Sequence, residues 1–284
     1  MSTSRIAVAQ MTSTHDEEQN FQTCERLVSR AAERGVRLLS LPENFAFLGQ
    51  RDDEVQRFKR PLESELFRRY RALAADHGIW LSLGGFAATG PDDSHAYNCH
   101  VVVGDDGELR ACYRKLHLFD VDLPDATSLR ESNGIAPGDE VVAVDSPVAR
   151  LGLSVCYDLR FAELYLCLAQ LGAEVLLVPA AFTATTGKAH WETLLRARAI
   201  ETQCYVAAAA QFGRHNPRRE SHGNAMIVDP WGAVIARCGE GEGLAVADID
   251  LAYLAEVRRR IPVMNHRRPE VYGRVECLRG GLDG

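Results

Sequence analysis

Residues 151–178 read Leu-Gly-Leu-Ser-Val-Cys-Tyr-Asp-Leu-Arg-Phe-Ala-Glu-Leu-Tyr-Leu-Cys-Leu-Ala-Gln-Leu-Gly-Ala-Glu-Val-Leu-Leu-Val, and their pattern indicates the fold. The apolar run over 151–155 predicts a strand, residues 162–171 a helix, and the apolar run over 175–178 a second buried strand. Helices that alternate with apolar strands are typical of an α/β fold, in which helices cover the faces of a sheet.

The N-terminal third shows the same alternation. We expect its first helix to begin at the N-cap Thr14, since three acidic residues follow it in the first turn, and to end at Gly35. The elements predicted in this part, in chain order, are a strand over 6–10, that helix, a strand over 36–41, a helix over 63–76 and a strand over 80–86.

The remaining segments favour a single layered domain. They are a hairpin over 97–103 and 109–113, a loop over 120–139, a helix over 189–202, strands over 205–210, 225–228, 234–236 and 244–248, and a helix capped by Asp250. An irregular tail follows from about Ile261. Because no linker-like change in composition interrupts the chain, we treat residues 1–284 as one α/β domain.

Composition narrows the class of protein. The chain of 284 residues is 46% hydrophobic and 25% charged, which is typical of a globular protein. Its net charge of −7 argues against a nucleic-acid or anionic-membrane partner, which calls for basic surface. The N-terminus lacks an apolar signal core and no apolar run is long enough for a membrane span, so we expect a cytoplasmic protein.

The eight cysteines form no Cys-x-x-Cys pair, so we expect free thiols in a reducing compartment rather than a disulfide framework. The sequence contains no Walker A loop, no Gly-x-Gly-x-x-Gly after a strand and no His-Glu-x-x-His, and its nine histidines show no paired ligand spacing. We therefore expect neither a metal nor a cofactor.

Cys156 is the thiol placed for chemistry. The segment Gly152-Leu-Ser-Val-Cys156 nearly matches the nucleophile elbow Gly-x-Ser-x-Gly, and it lies where a strand passes into a helix. A cysteine after a strand is usually a small buried residue. The polar Asp158 and Arg160 beside it favour a nucleophile instead.

Two further strand ends carry polar groups. Glu43 follows the apolar run over 36–41, and Lys115 follows the strand of the predicted hairpin. Each alone would usually be a surface residue. A carboxylate, an ammonium and a thiol at three strand ends together form a candidate active site.

The residues around these three positions resemble a known family. Leu-Pro-Glu43-Asn, Tyr-Arg-Lys115-Leu-His-Leu-Phe-Asp and Cys156-Tyr-Asp-Leu-Arg-Phe are similar to the three signatures of the nitrilase superfamily of carbon–nitrogen hydrolases, in the same order. The resemblance extends from about Arg5 to Tyr272, and the segments over 179–187 and 265–269 narrow it to the Nit-type amidases.

The resemblance implies an αββα sandwich that pairs with a second copy, and a catalytic set of Glu43, Lys115 and Cys156. It places a further glutamate at Glu131. It also implies that Arg160 contacts a substrate carboxylate, with Tyr157, Phe182 and Thr186 completing the substrate site. Two residues depart from the family pattern, because Lys188 and Ala162 stand where relatives have proline.

Amide chemistry suggests a role for each group. A free thiol is only a few per cent thiolate at neutral pH, so Glu43 is expected to accept the Cys156 proton and return it to the leaving ammonia. That role predicts a raised pKa for Glu43, from burial and the charge of Glu131. The Lys115 ammonium and the Tyr157 N–H would stabilise the oxyanion.

The expected reaction is hydrolysis of the amide of a small carboxylate substrate, through a cysteine thioester, to an acid and ammonia. The subgroup resemblance points to deaminated glutathione. The alternatives are ω-amidase action on 2-oxoglutaramate and hydrolysis of N-carbamoyl amino acids. The sequence lacks papain-like and caspase-like signatures, and a non-enzymatic scaffold would require a broken catalytic set.

Overall fold

The computed structural model describes residues 3–51, 54–122 and 128–273, so Cys277 and the end of the tail lie outside it. The strands are β1 (Ser4–Met11), β2 (Leu38–Leu41), β3 (Trp80–Thr89), β4 (Ala96–Val103), β5 (Leu109–Arg114), β6 (Asp120–Asp122), β7 (Ser128–Arg130), β8 (Ile135–Ala136), β9 (Ala143–Asp145), β10 (Arg150–Leu153), β11 (Val175–Leu177), β12 (Tyr205–Ala208), β13 (Ala210–Asn216), β14 (Arg219–His222), β15 (Met226–Val228), β16 (Val234–Arg237) and β17 (Gly243–Ile249). The α-helices are α1 (Glu17–Glu33), α2 (Glu54–Phe58), α3 (Glu65–His77), α4 (Ala162–Gln170), α5 (Ala184–Thr202), α6 (Leu251–Arg260) and α7 (Pro269–Tyr272).

The first large sheet has the order β14-β13-β1-β2-β3-β4-β5, with β17 added to β1 and β8 to β4. β1, β2 and β3 are parallel, and β4 and β5 form an antiparallel hairpin on β3. Since β4 reverses the direction and β5 reverses it again, β2 and β5 end at the same edge of the sheet.

The second sheet has the order β16-β15-β12-β11-β10-β9, in which β10, β11 and β12 are parallel. The chain passes from this sheet to the first within one residue, since β12 ends at Ala208 and β13 begins at Ala210. The two sheets are thereby connected directly through β12 and β13.

The alternation of side chains along β1 shows how the layers stack. Ile6 and Val8 pack in a core with the second sheet, whereas Ala7 and Ala9 pack in a core with α1 and α3. Successive residues of a strand point to opposite faces, so one strand serves two cores. Helices α4 and α5 cover the second sheet. The predicted αββα sandwich is confirmed.

Several predicted boundaries are wrong for local reasons. The N-cap of α1 is Asp16 rather than Thr14, because the Asp16 carboxylate accepts the N–H groups of Glu18 and Gln19 at 3.1 and 3.0 Å. Helix α5 begins at Ala184 instead of residue 189, since the Thr183 side chain caps it.

Other segments hold more regular structure than the pattern indicated. The predicted strand over 205–210 is two strands in two sheets. The loop over 120–139 contains three short strands, and the tail contains a 3-10 turn over Val263–His266 and α7. Within the described ranges, no helix combines the length and apolar character that crossing a membrane requires.

The cap of α1 gives a direct stability test. Replacing Asp16 by alanine leaves two backbone donors without their acceptor, so we expect the free energy of unfolding to fall by about 1 kcal/mol. Urea unfolding followed by circular dichroism measures the change. Thr14→Ala is the matched control, because the Thr14 hydroxyl accepts only the Asp16 N–H, at 3.2 Å. An equal or larger loss in the control would contradict the assignment of the cap.

Candidate active site

Three strand ends meet in one cavity between the sheets. Glu43 follows β2, Lys115 follows β5 and Cys156 follows β10, and these three residues line a cavity of about 450 Å³ together with Glu131. The two strands of the first sheet end at the same edge, and the β10 end of the second sheet faces them. The sequence prediction that these residues come together is thus matched by their positions in space.

Glu43 is 2% exposed, and its carboxylate is held by groups from three segments. Its Oε1 accepts Lys115 Nζ and Asn98 Nδ2, both at 2.9 Å, and its Oε2 accepts the Ala181 N–H at 3.0 Å. The Cys156 thiol lines the same cavity as this carboxylate. Glu43 is therefore fixed next to the thiol by donors that leave it little freedom.

Lys115 lies between two carboxylates. Its Nζ is 2.9 Å from Glu43 Oε1 and 2.9 and 2.8 Å from the two carboxylate oxygens of Glu131. Glu131 is itself held by the Phe119 N–H at 2.7 Å. A buried ammonium without a partner is very costly, and two carboxylates compensate this one.

Cys156 lies at a sharp turn. Its backbone φ is +48°, a conformation that a residue with a side chain rarely adopts, and its N–H donates to the Pro179 carbonyl at 2.9 Å. Such strain at a strand-to-helix turn is typical of a presented nucleophile. The backbone N–H of Tyr157 follows directly in the same turn, beside the thiol.

Asp158 joins the segment of Cys156 to the segment of Lys115. Its fully buried carboxylate accepts the Val155 N–H at 2.8 Å and the Tyr113 hydroxyl at 2.7 Å. It also accepts the backbone N–H of His117 at 3.0 Å, and His117 Nδ1 lies 2.8 Å from it. The two segments are thereby fixed relative to each other.

Two glycines of β3 allow close packing at the site. A Cβ on Gly84 would lie 2.0 Å from Pro179, which follows β11 of the second sheet, so Gly84 lets the two sheets approach closely. A Cβ on Gly85 would lie 2.7 Å from Glu43 Cγ, so Gly85 makes room for the Glu43 side chain. Gly85 also has a φ of +70°, which glycine adopts without strain.

The raised pKa predicted for Glu43 is wrong. Burial alone favours the neutral carboxyl, but the Lys115 ammonium, the Cys156 thiol and the Arg219 guanidinium together hold the pKa of Glu43 below its ordinary value. Burial and the Glu43 charge raise the pKa of the Cys156 thiol well above its usual range. The resting site therefore holds a carboxylate and a neutral thiol.

Lys115 remains charged in this site. Burial opposes the charge, but the carboxylates of Glu131 and Glu43 outweigh burial and raise the pKa of Lys115 above its ordinary value. The ammonium is therefore a permanent positive charge beside the thiol.

The predicted substrate-binding residues form a second group, and none of them lines the 450 Å³ cavity. The Arg160 guanidinium lies 5.8 Å from the ring centre of Tyr157 and 5.3 Å from that of Phe182. Its Nη1 is 3.2 Å from Nδ1 of the exposed His190. Thr186 is in the first turn of α5, where its N–H donates to the Thr183 hydroxyl. Lys188 is exposed on the same helix.

Sequence reasoning missed Asn98 and Arg219, which both line the cavity. Asn98 binds Glu43 and Glu131 through one amide nitrogen, at 2.9 and 3.2 Å. Asn98 and His100 are buried polar residues two positions apart, so they lie on the same face of the otherwise apolar β4. Two polar residues at this spacing in an apolar strand could have indicated a buried polar site from the sequence. Arg219 begins a short strand in a polar segment, where nothing in the sequence distinguishes it.

Fold and geometry together define a hydrolase of carbon–nitrogen bonds, with a thiol, a carboxylate and an ammonium in one cavity. The described residues contain no group of three or more metal-ligating side chains placed around one point. The chain belongs to the carbon–nitrogen hydrolase family, whose profile matches residues 5–259.

Individual relatives are similar over nearly the whole chain. Deaminated glutathione amidase of Homo sapiens is 52% identical over 272 residues, which are 94% of this chain and 83% of that protein. The crystal structure of the C. elegans NitFhit protein is 49% identical with a TM-score of 0.89, and the match covers 96% of this chain and 67% of that one.

An amidase from Nesterenkonia sp. AN1, of the nitrilase superfamily, is a more distant relative. One mutant structure is 28% identical with a TM-score of 0.78 and 95% coverage of both chains. It shows covalent addition of the acetamide moiety of fluoroacetamide at the active-site cysteine.

The direction of the Glu43 pKa gives a pH prediction. If the ionised carboxylate is the base, activity is lost only when the pH falls through this lowered pKa. We therefore expect kcat/KM to be constant down to about pH 5, with its acid limb below the ordinary carboxyl value of about 4.3. A pH–rate profile measured with an uncharged amide checks this. An acid limb near pH 6–7 that disappears in Glu43→Gln, measured on its residual activity, would show that the carboxylate has a raised pKa.

Proposed function

We propose that this chain is a thiol amidase in which Cys156 is the nucleophile. The observation that carries the proposal is the convergence of Cys156, Glu43 and Lys115 in one cavity, where the Lys115 ammonium and the Ala181 N–H hold the Glu43 carboxylate in place. Glu43 takes the thiol proton as sulfur attacks the amide carbon, and the C=O pair moves to oxygen. Lys115 Nζ and the Tyr157 N–H stabilise the oxyanion, and losing one such donor typically costs about 10²–10³ in rate.

Collapse of this intermediate breaks the carbon–nitrogen bond. Glu43 returns the proton to the leaving nitrogen, and a thioester remains on Cys156. Glu43 then removes a proton from water, which attacks the thioester and releases the acid and the thiol. Glu131 keeps Lys115 charged and oriented throughout, since it contacts Nζ with both oxygens. The covalent adduct seen at the cysteine of the Nesterenkonia amidase supports the assignment of Cys156 as the nucleophile.

We propose deaminated glutathione as the substrate, because the human relative at 52% identity bears the name of that activity. This substrate has only secondary amides, so cleavage releases an amine, a cysteine-containing dipeptide, instead of ammonia. Ammonia is the product expected only from a primary amide such as 2-oxoglutaramate. Arg160, with Tyr157, Phe182 and Thr186, is proposed to bind the carboxylate of the acyl half of the substrate.

A direct assay tests the reaction and the substrate together. We expect the purified protein to hydrolyse deaminated glutathione, measured as 2-oxoglutarate and free dipeptide, with a higher kcat/KM than for 2-oxoglutaramate. Cys156→Ala should lose at least about 10³-fold in kcat, because no thioester can form. Cys167→Ala, which removes a buried thiol on α4, is the matched control and should keep normal activity.

The outcomes of this assay distinguish an error in the proposed substrate from an error in the proposed nucleophile. A large preference for 2-oxoglutaramate would overturn the substrate and leave the thiol mechanism intact. Near-normal turnover by Cys156→Ala on either substrate would overturn the nucleophile.

We also propose that the chain is one catalytic domain of a cytoplasmic homodimer. The seven described cysteines are all free, as expected in a reducing compartment. Two large apolar side chains are exposed to solvent near each other on the surface. Trp231 is 57% and Ile200 50% exposed, and Ile200 lies against Gly232. Adjacent exposed apolar groups are typical of an interaction surface.

Sedimentation equilibrium checks the dimer. We expect twice the chain mass of 31.3 kDa for the wild-type protein, and dissociation toward monomer in Trp231→Arg if this patch lies in the interface. Leu109→Arg, at another exposed apolar position, is the control. A wild-type monomer would contradict the proposed dimer, and a dimer unaffected by Trp231→Arg would place its interface elsewhere.

A further inference from the structure

The active-site cavity contains a cation that the reaction steps above do not use. Arg219, the first residue of β14, lines the cavity with Cys156. Its Nε is buried, and within the described ranges it has no hydrogen-bond partner. Arg219 as a whole is half-buried, but a buried N–H without an acceptor is costly, so native structures nearly always supply an acceptor for it. In a cavity, a bound ligand is the natural source of that acceptor.

The other cavity arginines are already engaged. Arg130 donates to both oxygens of Asp122 at 2.9 Å and to two backbone carbonyls. Arg51 lies 3.8 Å from Glu54. Of the three arginines among the described lining residues, Arg219 is the one whose side chain makes no hydrogen bond or ion pair with another described residue. It is therefore the cation available to a ligand.

Two amide side chains that line the cavity each have an acceptor oxygen without a donor, whereas Arg219 has a donor without an acceptor. Asn98 Oδ1 and Gln56 Oε1 are buried acceptors without a partner among the described residues. Neither side-chain amide can be flipped to exchange its oxygen and nitrogen. The Asn98 nitrogen donates to two carboxylates, and the Gln56 nitrogen donates to the Gly134 carbonyl at 2.7 Å. The cavity lining thus combines an unpaired cationic donor with two amide acceptors.

This combination suits a peptide-like group that has both an N–H donor and a carboxylate. A carboxylate is the partner that a guanidinium binds most strongly, through charge-assisted hydrogen bonds. Arg160 lies outside the cavity wall, stacked on Tyr157 and Phe182. Two arginines therefore lie near Cys156 in different surroundings: Arg219 lines the cavity, and Arg160 lies outside it.

We propose that Arg219 binds a carboxylate on the leaving-group half of the substrate. The enzyme then selects amides whose nitrogen carries an acidic, peptide-like substituent, while Arg160 serves the acyl half. This inference rests on the proposed function, and deaminated glutathione fits it because it has a carboxylate on each side of the cleaved amide.

The test compares three substrates with Arg219→Gln. They are deaminated glutathione, the same compound with its glycine carboxylate converted to an amide, and 2-oxoglutaramate, which has no leaving-group carboxylate. We expect kcat/KM for deaminated glutathione to fall about 10- to 100-fold, mainly through KM. The other two substrates should change less than about threefold. Arg219→Lys should recover part of the loss.

Arg214→Gln is the matched control. Arg214 lies on the paired strand β13 and is exposed, and among the residues that the structure describes it pairs with Glu220 alone, at 3.5 Å. The variant removes the same charge from the same hairpin outside the cavity, so all three substrates should react normally.

The alternative role of Arg219 is electrostatic, since its charge helps to lower the pKa of Glu43. If that is its only role, Arg219→Gln would slow all three substrates equally, including the two that lack a leaving-group carboxylate, and the inference would be overturned. It would also fail if the wild-type protein showed no preference for the free carboxylate over its amide. A wild-type protein that hydrolyses no form of deaminated glutathione would instead overturn the proposed function.

Discussion

The whole site depends on one buried ammonium placed between two carboxylates. Lys115 is 2% exposed and Glu43 is 2% exposed, so neither charge is hydrated to any useful extent. The cost of burying each charge is offset by the opposite charge beside it, and Glu131 adds the second anion that keeps the ammonium protonated. This arrangement explains why Glu43 is ionised in the resting site. It is ready to accept a proton from a thiol whose own ionisation is suppressed.

The sandwich architecture brings these charges to the thiol. Glu43 belongs to the first sheet and Cys156 to the second, and backbone groups around β11 contact both of them. The Ala181 N–H donates to Glu43, and the Pro179 carbonyl accepts the Cys156 N–H. Gly84 lets Pro179 approach the first sheet. The separation between base and nucleophile is therefore set by the packing of two sheets.

Sequence reasoning succeeded where information is local. Apolar periodicity identified most strands, and the polar residues directly after three of them are Glu43, Lys115 and Cys156, which the structure brings together in one cavity. It failed where a property depends on neighbours distant in the chain. The pKa of Glu43 is lowered by Lys115, Cys156 and Arg219, and none of these contacts is visible from the Glu43 segment. The roles of Asn98 and Arg219 depend on cavity walls built from separate loops.

The division of base and nucleophile between two sheets has a consequence for the chain during synthesis. Glu43 precedes Cys156 by more than a hundred residues, and its carboxylate can accept the thiol proton only once the two segments lie together in the folded chain. Until then Cys156 is one ordinary cysteine among eight, with no carboxylate to draw away its proton. A nascent or misfolded chain therefore carries no cysteine that is activated to attack an amide.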